Sequence, residues 1–367
     1  LEILFHALIP LYPGKQGLQA VRPDLLGEAL VGMALRRNGA GNLLDAVLSH
    51  DVDKSVRHHA LTVIARLSDQ RPDLHETLID ALSRHFAHCY REILQVAVET
   101  GGDLSQLAEI AFNRLPWAAQ SQLAGLLKPL LIEEASVQLA SLACAVSGFL
   151  VKKAQLKYTK KKKNVKCMAE YAGRMLNHSV DLCWAGRREL ALSTTRKALK
   201  LFKQLYGKNQ QRHSQNYSTS LNNMANRLAE AGQYEDALRH NKQALEISQR
   251  LAKRNPDQYE PGYAISLNNI AVHLNDTGKY EEALWHAEQA LEISQRMARK
   301  NPDPYEPDYA ILLNNIAGDL SNAGRYEEAF SRAGQALEIN QRLAQKNPDR
   351  YEPDYAMSLN NIASYLS

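Results

Sequence analysis

The chain has 367 residues, 45% of them hydrophobic and 23% charged, with a net charge of +4, proportions that fit a folded chain and exclude wholesale disorder. No charge-free apolar stretch reaches the roughly 18 residues that a membrane span needs. The cysteines Cys89, Cys144, Cys167 and Cys183 form neither a Cys-x-x-Cys pair nor a dense framework, which argues against a disulfide scaffold or a zinc knuckle and for a reducing cytoplasm.

The small net charge hides an asymmetry. Lys and Arg against Asp and Glu number 12 to 16 over residues 1–150, 17 to 3 over 151–214, and 15 to 21 over 215–367. One short block therefore carries all the excess positive charge.

The opening Leu1–Pro13 is apolar but has no basic leader and no small-residue cleavage site, so it reads as the cut edge of a longer protein rather than as a signal peptide. Leu11-Tyr12-Pro13, followed by Val21-Arg22-Pro23-Asp24-Leu25-Leu26-Gly27-Glu28, resembles the segment after the nucleotide-binding and winged-helix modules of bacterial signal-transduction ATPases with numerous domains, relatives of the NOD-like receptors. The resemblance implies a sensor half separated from its engine. No Gly-x-x-x-x-Gly-Lys-Ser/Thr phosphate loop occurs in the chain, so these residues alone should neither bind nor hydrolyse ATP.

Residues 1–153 read as an irregular helical region, with apolar residues at helical spacing in Leu43–Leu48, Ala60–Leu67, Leu78–Phe86 and Ile93–Val98. His85, His88 and Cys89 could share a helix face, but no second cluster supplies the remaining ligands of a metal site, and a packed or surface helix is the simpler reading. No nucleophile and base stand in a recognisable pattern, so the expectation is a chain that is not an enzyme and has no metal and no cofactor.

Residues 154–164 read as a lysine-rich hinge. Eight lysines fall between Lys152 and Lys166. They could meet an acidic partner or nucleic acid, but Tyr158 is the sole aromatic among them, so base-stacking platforms are missing, and an extended, self-repelling linker is the preferred reading.

From 165 to 367 the chain repeats. Tyr217, Tyr263, Tyr309 and Tyr355 stand 46 residues apart, as do Gly232, Gly278 and Gly324, and the register extends back to Gly186 and Ala198. This gives a degenerate unit at 165–216, clear units at 217–262, 263–308 and 309–354, and a half unit at 355–367.

In one unit Leu267, Ile270, Ala271 and Leu274 form the stripe of a first helix. After Gly278, the residues Ala283, Ala287, Ala290, Leu291 and Ile293 form that of a second. Asn301-Pro302 should end the second helix and Pro307 should open the next first helix, placing each Tyr-Glu-Pro run in a connector.

Leu267, Ala271, Leu274, Gly278, Tyr280, Ala283 and Ala290 match, in order, the signature of the tetratricopeptide repeat family. The Leu-Asn-Asn-Ile-Ala and Tyr-Glu-Glu-Ala runs resemble its long-repeat branch, which includes kinesin light chains and many bacterial repeat proteins. The fold implied is all-α: a right-handed solenoid of helical hairpins, preceded by the irregular helical region.

The recurring polar feature is an asparagine pair in each first helix: Asn222-Asn223, Asn268-Asn269, Asn314-Asn315 and Asn360-Asn361. Asparagine is a mediocre helix residue, so its return asks for a reason. The resemblance puts the second member, Asn223, Asn269, Asn315 or Asn361, on the backbone of a peptide in the concave groove, with Thr219, Ile265, Ile311 and Asn226 lining it and the first member bonding to the neighbouring helix. Tying helices together is the competing role.

No Lys or Arg stands at Thr219, Ile265, Ile311 or Met357, which argues against a clamp for acidic C-termini. The function expected is recognition of a protein or peptide in the groove, as the sensor part of a signalling ATPase. A scaffold that self-associates is the alternative, nucleic acid is the weakest reading, and a membrane plays no part.

Overall fold

The computed structural model describes residues 13–14, 17–18, 40–133, 137–161 and 164–366. Most of the segment that resembles signalling ATPases, including all of Val21–Glu28, lies outside them. Pro13–Gly14 (β1) pairs antiparallel with Gly17–Leu18 (β2) over two residues each; all other regular structure among the described residues is helical.

The chain forms two compact units. The first comprises the described residues up to Lys160 together with Val180–Arg187; the second comprises 161–179 and 188–367.

In the first unit the helices are α1 (Ala40–Leu48), α2 (Lys54–Gln70), α3 (His75–Thr100), α4 (Leu104–Arg114), α5 (Trp117–Glu133) and α6 (Ala140–Lys160). Phe86 meets Phe112 edge-on, and Phe112 meets Phe149 in the same way, so one aromatic chain joins α3, α4 and α6. The buried Arg57 guanidinium donates to Glu92 Oε1 at 2.8 Å and to the Val52 carbonyl at 2.7 Å, the extra bonds that a buried ion pair needs to offset its desolvation.

Residues 137–160 are long and apolar enough to cross a membrane, yet 44% of that window is buried within the protein; Leu139, Leu142, Val146 and Phe149 belong to the first unit's core. The same helix corrects an expectation: the lysine-rich segment is not extended at its start, because α6 continues to Lys160. Lysine is a good helix former, and Ala154, buried within the helix, anchors that stretch.

His85 and His88 serve packing. His85 Nε2 lies 2.9 Å from Asp45 Oδ1, the His88 ring stands edge-on to His50, and the buried Cys89 Sγ reaches the Leu48 carbonyl. All four cysteines are free thiols.

Beyond α7 (Val165–Trp184) the helices are α8 (Arg188–Lys208), α9 (Gln210–Glu230), α10 (Tyr234–Arg254), α11 (Pro256–Asp276), α12 (Tyr280–Lys300), α13 (Pro302–Asn322), α14 (Tyr326–Lys346) and α15 (Pro348–Leu366). From α8 onward each packs on the next, and the first helices α9, α11, α13 and α15 also touch in sequence. This is a helical-hairpin solenoid.

From α10 to α14 each helix spans 21 residues. Within a hairpin the chain reverses through a glycine at φ between 73° and 76°: Gly232, Gly278 and Gly324. The Lys279 N–H bonds back to the Leu274 carbonyl at 2.9 Å, closing the left-handed helix stop that favours glycine.

Between hairpins the connector is a single asparagine. Asn255 caps α11 by accepting from the Gln258 N–H, and Pro256 follows at the first helical position. Each first helix therefore starts five residues earlier than the Tyr-Glu-Pro runs suggest: Tyr259-Glu260-Pro261, Tyr305-Glu306-Pro307 and Tyr351-Glu352-Pro353 lie inside α11, α13 and α15. A proline at the sixth helical position removes one hydrogen bond near the end, where the ladder is least complete, and the 21-residue helix carries that loss. Tyr259, now helical, packs against Leu221, Ala244, Ile247 and Leu251.

The core of the repeats follows the alanines. Ala271, Ala283 and Ala290 are at most 1% exposed and Ala237, Ala244, Ala329 and Ala336 are fully buried, so paired helices meet without a large side chain between them. Ala283→Leu should force α11 and α12 apart and lower stability by about 1–3 kcal/mol; an unchanged melting midpoint would show that this alanine is not at the hairpin contact.

Candidate functional site

The first helices hold the asparagine pairs along one side of the solenoid. In two of the pairs the first member is structural: Asn222 Nδ2 donates to Ser266 Oγ at 2.9 Å and Asn314 Nδ2 to Ser358 Oγ at 3.0 Å, both asparagines being buried. Each bond ties one unit to the next.

The second member is half-buried in every unit, and in two units it divides its capacity. Asn315 Nδ2 donates to Asn268 Oδ1 at 3.1 Å and Asn361 Nδ2 to Asn314 Oδ1 at 3.3 Å. One amide hydrogen of each therefore serves the solenoid, leaving further donor and acceptor capacity on the same side chain.

At the first junction, between units 217–262 and 263–308, the corresponding bond is not made. Asn222 Oδ1 is buried without a hydrogen-bond partner. A cavity of about 240 Å³ opens there, lined by residues that include Thr219, Asn222, Asn223, Asn226, Ile265 and Asn269. Five of the eight residues expected from the sequence, Thr219, Asn223, Asn226, Ile265 and Asn269, thus share one cavity, while Ile311, Asn315 and Asn361 lie in later units on the same row of helices.

The floor comes from Ser248 and Leu251 of α10 and from Tyr259 and Gly262 of α11. No lining residue carries a formal charge. A Cβ built at Gly262 would meet nothing within 4 Å, so this position helps keep the cavity open; Asp308 and Asp354 occupy it in the next units. Sequence reading missed Gly262 and Asn222, although the Gly/Asp/Asp difference between otherwise similar repeats was a signal that could have pointed to the junction.

A second row of helix positions is polar, half-buried at Arg227 and buried at His273 and Asp319. Arg227, His273 and Asp319 stand 46 residues apart. The His273 Nδ1 lies 2.5 Å from Asn241 Nδ2, and burial holds this imidazole below the usual histidine range. Asp319 is only 4% exposed; burial and the neighbouring Asp276 carboxylate push its pKa up to about 7.

A tetratricopeptide repeat family model matches residues 171–250, 218–296 and 262–342. Residues 171–342 belong to the tetratricopeptide repeat family. Among solved structures, the array is similar to BtubC (BKLC) from P. vanneervenii, at 20% identity over 63% of this chain and 91% of that one, with a TM-score of 0.44. A signal-transduction ATPase with numerous domains and a tetratricopeptide repeat sensor, from Pyrococcus horikoshii, matches at 14% identity over 94% of this chain and 50% of that one, with a TM-score of 0.45. PlcR of Bacillus thuringiensis, solved with the peptide PapR7 and DNA, matches at 15% identity over 70% and 83%, with a TM-score of 0.40. No curated protein sequence matches the chain.

Within the tetratricopeptide array, Asp319 gives a pH dependence whose sign is fixed. Its folded pKa of about 7 lies above the ordinary carboxylate value, so from about pH 4 to 7 the folded chain keeps a proton that the unfolded chain has lost, and stability falls as pH rises through that window. Asp319→Asn should therefore match the parent near pH 4 and exceed its stability at pH 8 by on the order of 1–4 kcal/mol. Denaturant unfolding of both proteins across this range measures the difference, and parallel curves would rule out a raised carboxyl at this position.

Proposed function

We propose that the solenoid is a peptide-recognition module, and that an extended segment of a partner protein lies along α9, α11, α13 and α15 with its main contact at the cavity between the units starting at Tyr217 and Tyr263. The observation that carries this reading is the convergence of Thr219, Asn223, Asn226, Ile265 and Asn269 on one uncharged cavity. Tetratricopeptide repeats are protein-interaction modules, which supports the same reading.

The lining is made of amides, hydroxyls and aliphatic groups. Amides can serve both the N–H and the C=O of an extended backbone. At about 240 Å³ the cavity falls below the size of pockets that hold drug-sized ligands, so it accommodates one side chain of the bound segment, neutral because no charge lies opposite it.

A second element of the reading is that this module is the sensor part of a signalling ATPase. It is supported by the resemblance carried by Leu11–Pro13 and Val21–Glu28. A phosphate loop upstream in the full-length gene is the expected finding, and a full-length gene without one would remove this element while leaving peptide recognition intact.

The groove is tested with a peptide selected on the protein from a random library. Asn223→Ala with Asn269→Ala should leave the melting midpoint nearly unchanged, since neither side-chain amide holds a hydrogen bond among the described residues, and should weaken the peptide by about 5- to 150-fold, the loss of two bonds at about 0.5–1.5 kcal/mol each. Gly262→Asp, whose Cβ has room, should weaken binding by closing the cavity. Unchanged affinity in both folded variants would eliminate this site.

A further inference from the structure

The positive excess of residues 151–214 continues along α8. Between Arg188 and Arg212 stand seven basic residues and one acid, Glu189. Arg196, Lys200 and Lys203 follow one another at i, i+4 and i+7, which puts them on one helix face, with Lys197 and Lys208 beside them, and all five are exposed. Ala191, Thr195, Ala198, Phe202 and Leu205 hold the opposite face in the core. None of the five is in an ion pair among the described residues.

This face departs from the repeat. Lys200 occupies the position of Glu246, Glu292 and Glu338 in the three clear units, and Arg196 that of Glu288. The same position on the same kind of helix thus carries opposite charges within one chain.

The reversed pattern is fullest on α12. Glu281, Trp285, Glu288 and Glu292 fall at i, i+4, i+7 and i+11 of its outer face, the glutamates are exposed and Trp285 is 60% exposed. Among the described residues none of these glutamates forms an ion pair. A large aromatic set among acids, with no cover, is an unusual surface for a monomer, and the partner it suits is a basic helix whose guanidinium can lie on the indole while its ammonium groups meet the carboxylates.

We infer that the outer face of α8 docks on the outer face of α12 in a second copy of this chain. Arg196, Lys200 and Lys203 meet Glu281, Glu288 and Glu292, with Trp285 between them. The two faces carry opposite charge, which steers and orients association. Two single helix faces bury less than a standard interface, so the contact is weak and salt-dependent. The two faces are different surfaces of one chain, so the contact is head-to-tail and leaves a free face at each end for further copies.

The test measures the mass of the 367-residue chain by sedimentation at about 0.05 M and about 0.5 M salt, conditions that differ several-fold in screening length. The expected result is a mass that rises with protein concentration at low salt and stays monomeric at high salt. Arg196→Glu with Lys200→Glu and Lys203→Glu, and separately Glu281→Lys with Glu288→Lys and Glu292→Lys, should each abolish the rise while melting like the parent, because every altered side chain is exposed. Trp285→Ala should weaken association by about 2- to 30-fold.

An equal mixture of the two charge-reversed proteins should associate again, because the α8 variant then carries two acidic faces and the α12 variant two basic ones, so that unlike copies alternate although neither protein associates alone. A parent that is monomeric at both salts, reversed proteins that associate as the parent does, or a mixture that stays monomeric would each overturn the inference. Short duplex DNA is the control for the other polyanion: a monomeric parent that binds it through α8, and loses it in the α8 variant, would assign the face to nucleic acid instead.

Discussion

The repeats rest on how closely two helices can approach when alanine is all that separates them. Ala271, Ala283 and Ala290 have almost no surface left exposed, and the Leu and Ile stripes interlock around them as one cluster that runs through three hairpins. Close approach lets a reversal of three residues and a connector of one residue suffice, because the helix ends are already near each other. The asparagine bonds between units then form at related registers.

Polar groups within this close packing divide into two kinds. Those that repeat, such as Asn222 and Asn314, donate to Ser266 and Ser358 within the solenoid, although Asn222 keeps a buried Oδ1 without a partner. Those that vary from unit to unit, such as Arg227, His273 and Asp319, sit at one helical position in different electrostatic states, and Asp319 is destabilising when ionised because burial removes its solvation. Leu312 replaces the serine at the middle junction, and there Asn268 bonds instead to Asn315; the units are similar without being interchangeable.

Much of this was legible in the sequence. The 46-residue period, the Leu267–Leu274 and Ala283–Ile293 stripes and the reversal at Gly278 follow from local chemistry alone, and the structure places all of them as read. The first-helix starts were misplaced because Pro307 and Pro302 carry the same local signal and only the cap at the preceding asparagine distinguishes them. The lysine-rich segment is helical to Lys160 because helix propensity and one buried alanine outweigh repulsion between exposed charges. The cavity was half legible: amides and Thr219 are conspicuous by recurrence, whereas Gly262 matters by being unlike its counterparts, and a consensus conceals such a residue. The splitting of Asn315 and Asn361 between structural and free valences depends on distances that no spacing rule contains.

The single-residue connectors have an evolutionary consequence. Because each clear unit leaves the chain at an asparagine and enters the next at a proline, in the same backbone state (φ of −146° at Asn255 and −147° at Asn301), a whole unit can be duplicated or lost in the gene without creating a new loop. Such an event downstream of the unit 263–308 would lengthen or shorten the asparagine-bearing track while leaving the residues that line the cavity in place. The reach of the molecule along a ligand and its anchoring point can therefore change independently, one by copy number and the other by point mutation.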